Sequence, residues 1–121
     1  MELTQLLQPG QQIIERYGPG GFSVSGTVYL GPVLVFPDRT LVWADASMTE
    51  IGLAPVVEHG GVELLLLGLG RRMAPVAAAL RAALKARGIA IEGMETGAAC
   101  RTYNVLLAED RRVAAALLPP V

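Results

Sequence analysis

The chain's one cysteine, Cys100, stands near the front of a stretch with helical spacing, and Arg101 follows it directly. A helix N-terminus and an adjacent guanidinium both favour a thiolate, so a nucleophile could form here. Thr102 and Asn104, on the same helix, add hydrogen-bonding groups. A cysteine nucleophile also needs a base. The only histidine, His59, lies in a Glu-His-Gly-Gly turn that reads as a solvated loop with no sequence reason to come close. The competing reading of Cys100 is a small hydrophobe buried on an alanine-rich helix.

A second group of residues points to anions. Gly68-Leu69-Gly70-Arg71-Arg72 leaves an apolar run with two residues small enough for close backbone approach, then supplies two guanidinium groups. Such a turn suits a phosphate or carboxylate. It equally suits a tight turn with solvated arginines. The dinucleotide fingerprint would need a glycine where Met73 stands, and the Walker ending is missing, so Glu92 and Glu95 gain no meaning as ribose-binding acids. No serine occupies a nucleophile elbow, no histidine pair has metal spacing, and no cofactor is implied. Glu109, Arg111 and Arg112 suggest an ion-paired turn.

Composition narrows the partners. Ten basic and eleven acidic residues give a formal charge of -1, which provides no long-range attraction for nucleic acid or anionic lipid. Hydrophobic residues make up 52% of the chain and charged residues 17%, leaving apolar surface for a protein partner. A lone cysteine indicates a reducing compartment, and no run approaches the roughly 20 apolar residues of a membrane span. Residues 1–9 lack the basic start and apolar centre of a signal peptide, so a soluble, unprocessed cytoplasmic protein is expected.

The elements that must position these residues change period midway. Phe22, Val24, Val28 and Leu30 alternate with Ser23, Ser25, Thr27 and Tyr29, which predicts one half-buried strand flanked by turns at 18–21 and at Gly31-Pro32. Val33–Phe36 and Thr40–Trp43, joined through Pro37-Asp38-Arg39, continue an antiparallel meander. A short helix within 49–58 joins the halves. Val62–Leu67 is then apolar without alternation, as in a strand covered on both faces. A helix opening at Pro75 and ending at Gly88 carries Val76, Leu80 and Leu84 on one side. Ile89–Met94 is the next strand, Thr96 caps a helix running to about Glu109, and Val113–Leu118 is the last strand. The expected fold is a single three-layer α/β domain over residues 1–121, an N-terminal antiparallel β meander plus a C-terminal βαβαβ unit with a mixed sheet. In that unit Gly68–Ala74 and Glu95–Cys100 fall on one sheet edge, the usual place for a ligand in open α/β sheets.

The stretch Thr96–Pro119, with Ile13–Gly26 and Glu63–Gly70, resembles the family of the mitochondrial complex I assembly factor three and the adipogenesis-associated domain protein, whose bacterial members carry a domain-of-unknown-function label. The most specific segment is Thr96, Ala99, Thr102, Tyr103, Asn104 and Leu106, followed by Glu109 and Arg111. Leu69 stands where the family often has threonine, which removes a hydroxyl from the candidate anion site. The resemblance implies a small three-layer α/β fold and a helper role through protein contacts, with no enzymatic activity attached. The expected function is a non-enzymatic protein-binding accessory factor. Its partners would be respiratory-complex subunits or another assembly factor, with membrane association only through a partner and a homodimer left open. The alternative is an anion-binding protein or enzyme using the sheet edge. Gly68, Gly70, Arg71, Arg72, Thr96, Cys100, Arg101, Thr102 and Asn104 are the candidate ligand or partner site.

Overall fold

A computed structural model describes residues 10–71 and 75–120. Three short strands, β1 (Ile14–Gly18), β2 (Gly21–Val24) and β3 (Thr27–Leu30), form an antiparallel sheet of their own. The five-stranded sheet contains β4 (Val33–Val35), β5 (Thr40–Val42), β6 (Leu64–Leu69), β7 (Ala90–Met94) and β8 (Val113–Leu118), in the order β5-β4-β8-β6-β7. Helices α1 (Ala54–His59), α2 (Ala78–Lys85) and α3 (Thr96–Ala108) complete the chain. The mixed α/β architecture is the one expected, although the meander divides between two sheets.

The single strand predicted across Phe22–Leu30 is instead a hairpin. Ser25 and Gly26 both have positive φ, 45° and 85°, the backbone of the two-residue turn whose twist matches the strands it joins. Val24 therefore faces Thr27, and Phe22 faces Tyr29. A two-residue turn shifts the alternation by one position. Phe22 and Val24 are buried, whereas Val28 and Leu30 point outward with 70% and 79% of their surface exposed.

The large sheet is mixed because β8 is threaded into its middle. It runs parallel to β6 on one side and antiparallel to β4 on the other. Since β7 and β8 flank β6, the connection through α3 must cross β6, so this helix lies over the sheet centre. Both faces of β6 and β8 are covered, and their residues divide with period two. Leu65, Leu67, Ala114 and Ala116 pack with Phe36, Trp43, Leu53, Val56, Leu80 and Leu84 beneath α1 and α2. Leu66, Val113, Ala115 and Leu117 pack with Ala99, Cys100, Tyr103 and Leu107 of α3 and with Ile14, Phe22 and Val24 of the small sheet. Alanine suits the middle of β8 because helices approach from both sides.

Helix boundaries differ from the sequence reading. Pro55 lies in the first turn of α1, where its missing N–H costs nothing, so the helix starts there rather than near Thr49. Helix α2 starts at Ala78, not at Pro75, because Ala77 is still extended (ψ 133°). Residues 72–74 fall outside the described residues. Among the described residues, no helix is long and apolar enough to cross a membrane.

The face assignment of the hairpin can be measured. Phe22→Ala should lower the unfolding free energy by about 3–5 kcal/mol, while Val28→Ser should change it by no more than about 0.5 kcal/mol. Urea titrations of the two variants check this; comparable losses would place Val28 in the core.

Candidate functional site

The end of β6 and the start of α3 meet as the βαβ geometry requires. Thr96 is fully buried at the first position of α3, and its hydroxyl accepts the Gly70 N–H at 2.9 Å while donating to the Leu118 carbonyl at 2.6 Å. The Thr96 N–H donates in turn to the Gly70 carbonyl at 2.8 Å. One side chain thus ties together the C-terminal ends of β6 and β8. Thr96 was expected to cap the helix; Glu95 occupies the N-cap position instead, without a side-chain cap bond. The hydroxyl is turned to the strands because its one proton and a lone pair are both used there.

Gly68 has a packing reason as well. A Cβ at this position would lie 2.8 Å from a Leu117 methyl and 3.1 Å from the Thr96 hydroxyl, so α3 sits where a side chain would be. Gly70, at φ 85°, makes the turn that presents its N–H and carbonyl to Thr96. Arg71 is exposed after it, and Arg72 lies outside the described residues.

One turn further along α3, Arg101 donates to the Tyr17 hydroxyl at 3.1 Å. That hydroxyl rests on Gly97, where a Cβ would come within 2.6 Å of it. Tyr103 is fully buried, and its hydroxyl donates to the Gln12 carbonyl at 3.0 Å. Burial, helped by the charge of Asp38, pushes this phenol well above its ordinary range. Gln12 passes the connection on: its N–H donates to the Pro37 carbonyl at 2.9 Å and its side-chain oxygen accepts from Thr40 at 2.8 Å. Asn104 holds both main-chain groups of a single residue, accepting the Ile14 N–H at 3.0 Å and donating to the Ile14 carbonyl at 2.8 Å. It does for the edge of β1 what another strand would do. Thr102 is half-buried on the same helix.

Cys100 packs inward at 2% exposure. Burial outweighs the nearby Arg101 and pushes its thiol up to about 12, so the thiol keeps its proton at neutral pH. His59 is not the solvated loop residue expected. It ends α1 with its ring stacked on Phe36, centroids 4.1 Å apart and planes 3° from parallel. Its Nε2 lies 2.6 Å from Asp38 Oδ1 and its Nδ1 2.8 Å from the Gly60 carbonyl. The hydrogen bond from His59 holds the Asp38 carboxyl below its ordinary range, against a smaller opposing effect of burial. Sequence spacing missed this pair because 21 residues separate them. Arg112, expected in an ion-paired turn with Glu109, reaches Glu63 instead at 3.5 Å, with both side chains exposed. Among the described residues, no three of His, Cys, Asp and Glu gather where a metal could be held.

The structure brings Gly68, Gly70, Thr96, Arg101 and Asn104 to the two seams of α3, one with the strand ends and one with the small sheet. These features define a small mixed α/β protein whose third helix clasps a separate three-stranded sheet through Arg101 and Asn104. The chain belongs to the family described as protein of unknown function (DUF498/DUF598), which matches residues 14–118. It is 39% identical over 113 residues to the NADH dehydrogenase [ubiquinone] 1 alpha subcomplex assembly factor 3 of Danio rerio, a match covering 89% of this chain and 64% of that protein. An uncharacterised Rhodobacter capsulatus protein is 40% identical over 106 residues, covering 88% of this chain and 83% of its own length. A solved structure described as an outer membrane protein from Bartonella henselae superposes with a TM-score of 0.82 at 35% identity, covering 93% of this chain and 98% of that one. The chain thus spans less than two thirds of the Danio rerio assembly factor.

Two outcomes test this description of α3. Asn104→Leu leaves the Ile14 N–H and carbonyl without partners and should cost about 2–4 kcal/mol. Amide exchange at Ile14–Gly18 should accelerate while Leu65–Leu67 stay protected; equal acceleration at both would show that Asn104 supports the whole core. The thiol gives an alkaline signature. A folded value near 12 against an ordinary 9.0 means that the native state keeps a proton the unfolded state loses. Its contribution to stability is complete below about pH 9 and declines as pH rises toward about 12. Denaturant titrations from pH 8 to 11 should show a shallower decline in Cys100→Ala than in the native chain.

Proposed function

We propose that this chain is a cytoplasmic, protein-binding accessory factor for respiratory complex I assembly, acting through contacts and carrying no reaction of its own. The observation that carries this reading is the 39% identity, across 89% of the chain, to a protein named as a complex I assembly factor. The use made of the polar residues on α3 supports it. Thr96, Arg101, Tyr103 and Asn104 spend their hydrogen bonds on holding the fold, and the Cys100 thiol is buried and protonated. Anion capture at the sheet edge is less favoured, because Gly68 is required by the approach of α3. The apolar side chains left outside, among them Val28, Leu30, Val42 and Ile51, offer surface to other proteins.

Deletion of the gene in the cell of origin, with purification of a tagged chromosomal copy, tests the proposal. Assembled complex I, read as NADH-quinone activity and as intact complex on native gels, should fall, and complex I subunits or a second assembly factor should co-purify. Unchanged complex I together with no co-purifying subunit would overturn it.

A further inference from the structure

The two faces of the large sheet are covered unequally. Helix α3, with 13 residues, spans about 20 Å at 1.5 Å per residue, whereas α1 and α2, with 6 and 8, span about 9 Å and 12 Å. Between α1 and α2 lies a groove of about 390 Å³. Its apolar lining is Ile51, Ala54 and Val57 on the α1 side and Ala83 and Leu84 on the α2 side. Ile51 stands 78% exposed beside it.

The rim is charged, with opposite signs on its two sides. Glu50 and Glu58 border the groove along α1 and the turn before it, and Arg87 borders it just past the end of α2. All three are exposed, and among the described residues none makes an ion pair. A second hollow, about 300 Å³ over Gly18, Gly20 and Gly21 on the outer face of the small sheet, has Arg16 as its one charged lining residue and no charge of opposite sign. A trough between two helices with apolar side chains inside, acids on one bank and a base on the other matches the apolar face and oppositely charged flanks of an amphipathic helix.

Building on the protein-binding reading, we propose that the α1–α2 groove receives one amphipathic helix of a partner protein. The helix sets its apolar ridge between Val57 and Leu84. Lys or Arg along one flank faces Glu50 and Glu58, and an acidic residue on the other flank faces Arg87. Ile51 packs on the apolar ridge from the rim.

Site-specific photo-crosslinking in the cell of origin tests this, with a benzophenone amino acid placed at Ile51 in one strain and at Val28 in another. The Ile51 probe should yield an adduct mapped by mass spectrometry to a partner segment with helical apolar spacing and a basic flank. The double charge reversal E50K/E58K should reduce its yield by roughly tenfold or more, since like charges would then meet across the rim, with thermal unfolding unchanged. No adduct from Ile51, an adduct with a second copy of this chain, a segment without a basic flank, or a yield indifferent to the charge reversal would each overturn the groove assignment. If complex I subunits co-purify but crosslink only from Val28, the accessory function stands and the groove is the wrong surface. If neither probe crosslinks and nothing co-purifies, the functional reading falls as well.

Discussion

A sheet whose last strand lies near its centre cannot be completed until the helix before that strand has found its place. Here β8 pairs with both β4 and β6, and α3 must cross β6 to deliver it. The Thr96 hydroxyl fixes the beginning of that crossing by bonding the ends of β6 and β8 at once. Without β8, the β4–β5 hairpin would have no strand linking it to β6, and two half-sheets would each present a bare edge. The threonine costs no packing to hold, because its buried hydroxyl both donates and accepts.

The same helix joins the small sheet to the large one. Three strands of four or five residues bury little on their own, and such a sheet is marginal unless one face is covered. Phe22, Val24 and Ile14 supply the apolar face, while Asn104 and Tyr103 supply direction. The asparagine fixes Ile14 along the edge of β1, and the tyrosine reaches Gln12, which is bonded to the turn between β4 and β5. The small sheet is therefore anchored to the helix and, through Gln12, to the large sheet. Hydrophobic burial brings these layers together without choosing an orientation; the three polar contacts choose it.

Much of this was legible from residue patterns, for reasons that also mark where legibility ends. Val62–Leu67 could be read as a strand covered on both faces because such burial removes alternation, and α3 because Ala99, Tyr103 and Leu106 or Leu107 recur at helical spacing, whereas the placing of Val113–Leu118 between β4 and β6 rests on pairings far apart in sequence. The strand through Phe22–Leu30 was misread because a two-residue turn leaves the apolar and polar residues alternating while exchanging their faces. Only the positive φ of Ser25 and Gly26 shows the break. Thr96 could be placed at the head of a helix but not assigned its partners, since an N-cap threonine and a first-position threonine look alike in sequence. The tie between Asn104 and Ile14 spans 90 residues, beyond any local pattern. For the same reason topology could place Gly68–Ala74 and Glu95–Cys100 at one sheet edge, while the bonding of Thr96, and of Arg101 and Asn104 to the small sheet, could not be read.

The polar side chains of the Thr96–Asn104 stretch are thus explained by the fold. Each of its bonded polar residues has its partner inside the chain, and Gly68 and Gly97 stand where neighbouring groups occupy the space of a side chain. Residues of this kind constrain a backbone whatever the protein does with its surface. A stretch fixed for such a reason carries little information about a ligand. Functional differences among such proteins would then reside where packing imposes least: the outer face of the small sheet, the edge strand β5 and the thinly covered face beneath α1 and α2. Of these, the last combines an apolar groove with exposed charges of both signs that, among the described residues, form no ion pair.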